Sequence, residues 1–157
     1  MIKLPSQAEL KQRFHYDQET GDLIYKISPA NRIKVGDIVK GFGSDGYRRV
    51  YIKGTLYRAH RIIWCWMTGE DLSDKKIDHK DRDRGNNKWS NLRKATSSDN
   101  GKNNKYLGYS KRSNGKWRVR VRELGKCLFD KTVETEEEAR LLSIEKRAEL
   151  FGEFAPA

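Results

Sequence analysis

The sequence is short of long apolar segments, of cysteine and of any export signal. Hydrophobic residues make up 36% of the 157 positions, and no apolar run approaches the length of about 20 residues that a membrane-spanning helix needs. The amino terminus lacks the apolar stretch of about 7–15 residues that marks a secretory signal. Only two cysteines occur, Cys65 and Cys127, and they form neither a disulfide framework nor a metal-binding Cys-x-x-Cys pair. We therefore expect a cytoplasmic protein without membrane contact.

Positive charge, by contrast, is plentiful and is concentrated in one segment. The chain carries 33 Lys and Arg against 22 Asp and Glu, and residues 79–122 alone account for the whole net charge of +11. A basic segment between neutral flanks is typical of proteins that bind polyanions. The alternative is a generically basic, solvated surface. Aromatic residues and a strand-like alternation inside the segment favour nucleic acid as the partner.

The chain has the length of one domain or two small ones, and its patterns divide it near residues 103–105. Before that point, capping and turn signals predict a helix at 7–14, a strand at 22–27, two strands within 47–58 and an apolar helix at 60–68 ended by Gly69. Residues 78–104 have the composition of polar loops. After the division, the patterns predict strands at 106–112, 116–123 and 126–132, then an amphipathic helix at 136–151.

Three short motifs combine residue types that suit phosphodiester hydrolysis. They are Asp78-His79, Asn91-Leu92-Arg93 and Asp99-Asn100. A divalent cation that stabilises the leaving oxyanion needs oxygen ligands, which carboxylate and amide groups supply. An imidazole can activate water, since its ordinary pKa of about 6.5 leaves it mostly neutral at physiological pH. Because neighbouring side chains on a strand point to opposite sides, we expect a turn to begin at the Asp-His pair.

In order and spacing, these motifs resemble the HNH endonucleases, in particular the phage-type homing endonucleases. The resemblance covers about half the chain and rests on His60 to Trp64, Asp78-His79, Asp81 to Asn87, Asn91-Leu92-Arg93 and Asp99-Asn100. It implies an α+β fold in which residues 1–104 hold a small β-rich amino-terminal region and a ββα-metal nuclease module with its core at 58–104. One departure is Asn100, which stands where the family's third motif letter is histidine; an amide oxygen is an adequate ligand for Mg²⁺.

The same resemblance implies roles and partners. His79 is expected to be the general base, Asp78 and Asn100 the metal ligands, and Asn91 the catalytic-site residue that braces the intervening loop through backbone hydrogen bonds. One Mg²⁺ or Mn²⁺ per site is the implied cofactor, without a small-molecule cofactor. The implied substrate is double-stranded DNA. The protein is expected to be a monomer or weak dimer that acts in the cytoplasm of a phage-infected bacterium.

Each of these residues also has a simpler interpretation. An Asp-His pair alone is more often a surface turn, and Thr96 with Asp99 is typical of a helix cap. His60, which could support the site, is more often a buried or capping histidine near a helix start. The ordered combination, rather than any single member, indicates a nuclease.

The carboxy-terminal part predicts a sheet with one basic face. In residues 117–122 the apolar Trp117, Val119 and Val121 alternate with arginines, so the two sets lie on opposite sides of a strand. We expect helix 136–151 to cover the apolar face through a stripe formed by Leu141, Ile144, Ala148 and Phe151.

Residues 106–155 resemble the APETALA2/ethylene-response-factor type of DNA-binding domain. The matching positions are Gly108, Gly115-Lys116-Trp117, Arg122, the helix start from Thr135 to Ala139 and the segment from Gly152 to Ala155. The resemblance implies that residues 105–157 form a three-stranded antiparallel sheet with one helix, and that the sheet lies in the major groove of DNA. The alternative is an arginine-rich face exposed to solvent only.

Together these patterns predict a metal-dependent DNA endonuclease that nicks DNA or cuts both strands. The residues expected to contact DNA are basic ones in and after the nuclease motifs, namely Lys80, Arg82, Arg93, Lys102, Arg112, Lys116, Arg118, Arg120 and Arg122. One alternative is a DNA-binding regulator with a vestigial nuclease domain, which the complete motif set disfavours. Another is RNA binding by aromatic residues on the open sheet, which the core-facing position of Trp117 disfavours.

Overall fold

A computed structural model describes residues 3–72, 75–103 and 108–155. The chain folds as two compact units, Met1–Lys94 and Ala95–Ala157. The described residues leave out 104–107. This gap contains most of the predicted boundary at 103–105 and the start of the strand predicted at 106–112. The domain division after residue 104 therefore stays a prediction.

The first unit contains two helices and several short strands. In chain order they are α1 (Gln7–Arg13), β1 (Phe14–Tyr16), β2 (Leu23–Tyr25), β3 (Arg49–Ile52), β4 (Thr55–Arg58), α2 (Ala59–Thr68), β5 (Lys76–His79) and β6, which begins at Leu92 and ends at Ala95. The pairs β1-β2 and β3-β4 are antiparallel hairpins, and β5 pairs with β6. The predicted helix before Gly69 is confirmed, since Gly69 ends α2 in the left-handed conformation with a φ of 78°.

One hydrophobic core holds these elements together. α2 supplies its centre, because Ile62 and Ile63 have no exposed surface. α1 and the first hairpin pack around α2, while Ile77 and Leu92 bring β5 and β6 to the same core. The strands that carry the candidate site are thus fixed by apolar contacts made by their neighbouring residues.

The second unit contains α3 (Ser97–Lys102), β7 (Tyr109–Lys111), β8 (Trp117–Glu123), β9 (Lys126–Val133) and α4 (Glu136–Phe151). The strands form one antiparallel sheet in the order β7-β8-β9. Thr96 and Thr135 cap α3 and α4 through capping boxes with Asp99 and Glu138. Val119 and Val121 are buried, as the alternation predicts.

The predicted packing face of α4 is wrong for three of its four residues. Leu141 and Ile144 are 54% and 51% exposed, and Ala148 is also exposed. The buried positions are Ala139, Ser143, Arg147 and Phe151, spaced four residues apart. Small side chains let the backbones approach closely: a Cβ on Gly108, whose φ is +76°, would lie 2.4 Å from the Ser143 hydroxyl. The buried face therefore follows the four-residue spacing from Ala139 and leaves the hydrophobic Leu141 and Ile144 exposed.

A membrane-spanning helix is not found. Within the ranges described above, no helix is both long and apolar enough to cross a bilayer.

Candidate active site

Strand β5 ends on two consecutive buried polar residues, Asp78 and His79. They are only 6% and 3% exposed, and the strand geometry sends them to different surroundings. The chain turns immediately afterwards, where the Arg82 amide donates to the His79 carbonyl over 2.9 Å. The expected turn after the Asp-His pair is therefore present.

Asp78 forms a buried ion pair with Arg93 on the neighbouring strand β6. Nε and Nη2 of Arg93 both donate to Oδ2 of Asp78, at 3.0 and 2.8 Å. Arg93 is 8% exposed. Its side chain is buried against Asp78, because β6 pairs with β5. The DNA contact predicted for Arg93 stays a prediction.

His79 lies among other aromatic rings and one amide. Its Nε2 is 3.0 Å from Oδ1 of Asn87. The ring centroids of His60 and Tyr47 are 5.1 and 5.8 Å from that of His79. Burial lowers the pKa of His79 below 6.5, although Asn87 and nearby carboxylates oppose this shift. The lowered pKa favours the neutral ring, which is the form in which an imidazole can accept a proton.

His60, the second residue of α2, packs edge-on against His79 and is 4% exposed. Burial holds the pKa of His60 well below its ordinary value, and the nearby His79 and arginines act in the same direction. Among the residues that the structure describes, its Nδ1 has no hydrogen-bond partner. His60 is thus a buried neighbour of His79, and the supporting role considered for it stays a prediction.

The loop between β5 and β6 is held by the side chain of Asn91. Its Oδ1 accepts from the Asp81 amide at 3.0 Å. Its Nδ2 donates to Oδ1 of Asp81 at 2.9 Å and to the Asn86 carbonyl at 2.8 Å. Asn91 makes backbone hydrogen bonds of the kind expected from the resemblance, and its contacts are with the loop.

A second cluster beside His60 was not anticipated from the sequence. Tyr47 has the guanidinium of Arg58 4.4 Å and that of Arg84 5.0 Å from its ring centroid. Arg84 also donates to the Asp45 carbonyl at 2.8 Å. No local signal could have found this cluster, since its members come from a turn, a strand end and a loop that are far apart in the chain.

The other residues predicted to contact DNA differ in their exposure and in the protein groups that they contact. In the first unit, Lys80 donates to the Ser90 carbonyl at 2.6 Å, and Arg82 is half-buried with a φ of +67°. In the second unit, Lys102 is paired with Asp99 and Glu123. Arg112 and Arg122 are exposed, as is Lys116, which is paired with Glu134.

Asp130 partly neutralises the arginine face of β8, which is formed by Arg118, Arg120 and Arg122. Asp130 lies directly across from Arg120 on β9. It forms ion pairs with both Arg118 and Arg120. The alternation within β8 could not reveal this partner, because the register with β9 decides which residue lies opposite.

Asn100 lies in the first turn of α3 and is exposed. It belongs to the second unit, whereas Asp78 belongs to the first. Their pairing as metal ligands stays a prediction.

The residues at the end of β5 fit a hard divalent cation. In residues 3–72, 75–103 and 108–155, no group of three or more His, Cys, Asp or Glu side chains is placed to hold a metal. Mg²⁺ commonly takes one or two protein carboxylates and completes its shell with water and substrate phosphate. Asp78 is a carboxylate of the kind that Mg²⁺ takes, and its role as a metal ligand stays a prediction.

Residues 57–102 match the family model for HNH endonuclease. This segment is therefore similar to an HNH endonuclease domain. The matched segment includes α2, with His60, and the two strands that carry Asp78, His79 and Arg93.

The similarity to one curated viral protein extends over more of the chain than the match to the family model does. It is an uncharacterised HNH endonuclease of Acanthamoeba polyphaga mimivirus, 35% identical over 118 residues, or 72% of this chain. The chain spans 63% of the length of that relative. No solved structure matches the chain.

The buried ion pair between Asp78 and Arg93 should be important for stability. Arg93→Ala leaves a buried carboxylate without its cation, so we expect the free energy of unfolding to fall by about 3–5 kcal/mol. The matched control is Lys94→Ala at the next position, where the partner Glu70 and the lysine are about half exposed. Urea unfolding followed by tryptophan fluorescence measures both. Equal effects of the two substitutions would contradict the importance of the buried pair.

Proposed function

We propose that this protein is a metal-dependent DNA endonuclease whose general base is His79. The observation that carries the proposal is the burial of the consecutive residues Asp78 and His79 at the end of β5, in the segment that is similar to HNH endonucleases. Burial lowers the pKa of His79, and its Nε2 lies 3.0 Å from Oδ1 of Asn87. A neutral, fixed imidazole beside a carboxylate is what single-metal hydrolysis requires.

In the proposed reaction, His79 takes a proton from a water molecule. The water oxygen attacks the phosphorus, and the bond from phosphorus to the leaving oxygen breaks. Asp78 and, as the resemblance implies, Asn100 would hold a divalent metal, which would supply the charge that stabilises the leaving oxygen. Arg93 keeps Asp78 in position, and Asn91 holds the loop that follows His79.

We also propose that the sheet of the second unit binds the DNA. Arg122 and Arg112 are exposed, and Arg118 and Arg120 share the face of β8 with Arg122. The resemblance to the APETALA2 type supports this role. One candidate site per chain makes a single-strand nick the simplest product of a monomer. The setting of a phage-infected bacterial cytoplasm stays a prediction.

A DNA-binding regulator with a vestigial nuclease is the second candidate function. It is favoured only by the basic face of the second unit. The buried partners of Asp78 and His79 favour the enzyme, because an inactive site has no need for two costly buried polar residues.

Cleavage of plasmid DNA tests the enzyme directly. We expect nicked or linear product with Mg²⁺ or Mn²⁺ and none with EDTA. His79→Ala should slow cleavage by about 10²–10⁴-fold and leave DNA binding nearly unchanged, because a base acts only in the chemical step. His15→Ala is the matched control, since His15 is exposed on β1. Full cleavage by His79→Ala would overturn the assignment, and wild-type DNA binding without cleavage would favour the regulator.

The pH dependence of cleavage should follow the lowered pKa of His79. A base with a lowered pKa stays deprotonated to lower pH, so the rate should be nearly constant above neutral pH. It should fall only as the pH drops below the ordinary histidine value of about 6.5. Single-turnover rates from acid to alkaline pH measure this. A rate that still rises well above pH 7 would point to another base.

DNA affinity should be limited by Asp130. Asp130→Asn removes the negative charge that neutralises Arg118 and Arg120, so we expect duplex DNA to bind more tightly, on the order of five-fold at low salt. Glu137→Gln makes the same change of charge beside Arg140 on α4 and should have a smaller effect. Fluorescence anisotropy at two salt concentrations compares the variants. Equal effects of the two substitutions would mean that total charge, not this face, sets affinity.

A further inference from the structure

Asn87 is a deeply buried polar contact of His79. Asn87 is only 1% exposed, and its Oδ1 lies 3.0 Å from Nε2 of His79. Its Nδ2 has no hydrogen-bond partner among the described residues. A buried amide that leaves one of its groups unsatisfied is costly, so the contact with His79 needs a reason other than stability.

The backbone around Asn87 is held by the first hairpin of the chain. The Tyr16 hydroxyl on β1 donates to the Asn87 carbonyl over 2.7 Å, and the contact is buried. The Trp89 amide donates to the Gln18 carbonyl at 3.2 Å. These contacts join the loop between β1 and β2 to the segment that carries Asn87.

Gly21, in the loop between β1 and β2, also lies very close to the backbone of Asn87 and Lys88. A Cβ on Gly21 would lie 2.5 Å from the Lys88 nitrogen and 2.6 Å from the Asn87 carbonyl carbon. Both of these atoms are backbone, so neither can move aside easily. The φ of Gly21 is +79°. Only glycine fits this close approach of the hairpin to Asn87.

We propose that Asn87 is a positioning residue for His79, and that the hairpin β1-β2 holds Asn87 in place. The amide oxygen accepts a hydrogen bond from the N–H group at Nε2, which fixes the ring orientation and selects the tautomer with its lone pair on Nδ1. The hairpin thereby acts on the chemistry of His79 through Asn87. This proposal rests on the proposed function for its kinetic consequences and on the tautomer of His79 for an independent readout.

A purely structural role for Asn87 predicts a different order of cleavage activity among the variants of this residue. Asn87→Leu keeps the size of the side chain but removes the acceptor, and it relieves a buried polar group. Asn87→Asp keeps an acceptor oxygen but buries a charge, so it should be the less stable variant. If Asn87 mattered only for packing, the leucine variant would be the more active one. Positioning of His79 requires the reverse.

The first experiment measures the His79 tautomer by long-range ¹H–¹⁵N NMR on the full chain. We expect the Nε2–H tautomer in the wild type and in Asn87→Asp, and a mixture of both tautomers in Asn87→Leu. Single-turnover cleavage should fall by about 100-fold in Asn87→Leu, and Asn87→Asp should retain more of the rate. An unchanged tautomer in Asn87→Leu, or a leucine variant as active as the wild type, would overturn the proposal.

A second pair of variants tests the hairpin without touching Asn87. Tyr16→Phe removes the hydroxyl that holds the Asn87 carbonyl. Tyr25→Phe is the matched control, since Tyr25 is also buried in the hairpin and the Asn87 carbonyl bond belongs to Tyr16. We expect Tyr16→Phe to lower kcat several-fold with little change in KM, and Tyr25→Phe to leave both unchanged. Equal kinetics for the two would refute the role of the hairpin.

The two proposals fail in distinguishable ways. If the wild type cleaves no DNA with any divalent metal, the proposed function fails, whereas the NMR tautomer still decides the role of Asn87. If cleavage depends on His79 but the tautomer does not depend on Asn87, only the positioning proposal fails.

Discussion

The need to bury two consecutive polar residues, Asp78 and His79, governs the structure around them. A carboxylate or an imidazole inside a protein is costly unless nearby groups replace the water that it has lost. A strand of four residues cannot supply those groups itself. They come instead from β6 through Arg93 and from the following loop through Asn87. The hydrogen bonds that make burial tolerable also fix the direction of both side chains.

Burial has a chemical consequence as well as a cost. It shifts the pKa of His79 downward and that of His60 further in the same direction, so two imidazoles can pack 5.1 Å apart without mutual repulsion. The neutral pair needs a dry surrounding, which Tyr47 helps to provide. The β-rich amino-terminal region is therefore part of the site's environment, since both Tyr47 and the hairpin that contacts Asn87 belong to it.

The second unit follows a different physical rule. Its sheet exposes arginines on one face and receives α4 on the other through small side chains such as Ala139 and Ser143. Close packing leaves Leu141 and Ile144 exposed on the outer side of the helix. On the open face, the register with β9 sets Asp130 beside the arginines, so the basic character of the segment overstates the charge that this face presents.

The sequence alone determined the features that depend on neighbours a few residues away. These include the capped starts of α3 and α4, the glycine end of α2, the alternation of β8 and the ordered motifs that resemble those of HNH endonucleases. Tertiary structure decided which distant groups meet. Only folding pairs Arg93 with Asp78, brings Asn87 to His79 and selects the buried face of α4. These outcomes depend on strand register and on how closely two backbones approach, and neither quantity is written in local spacing.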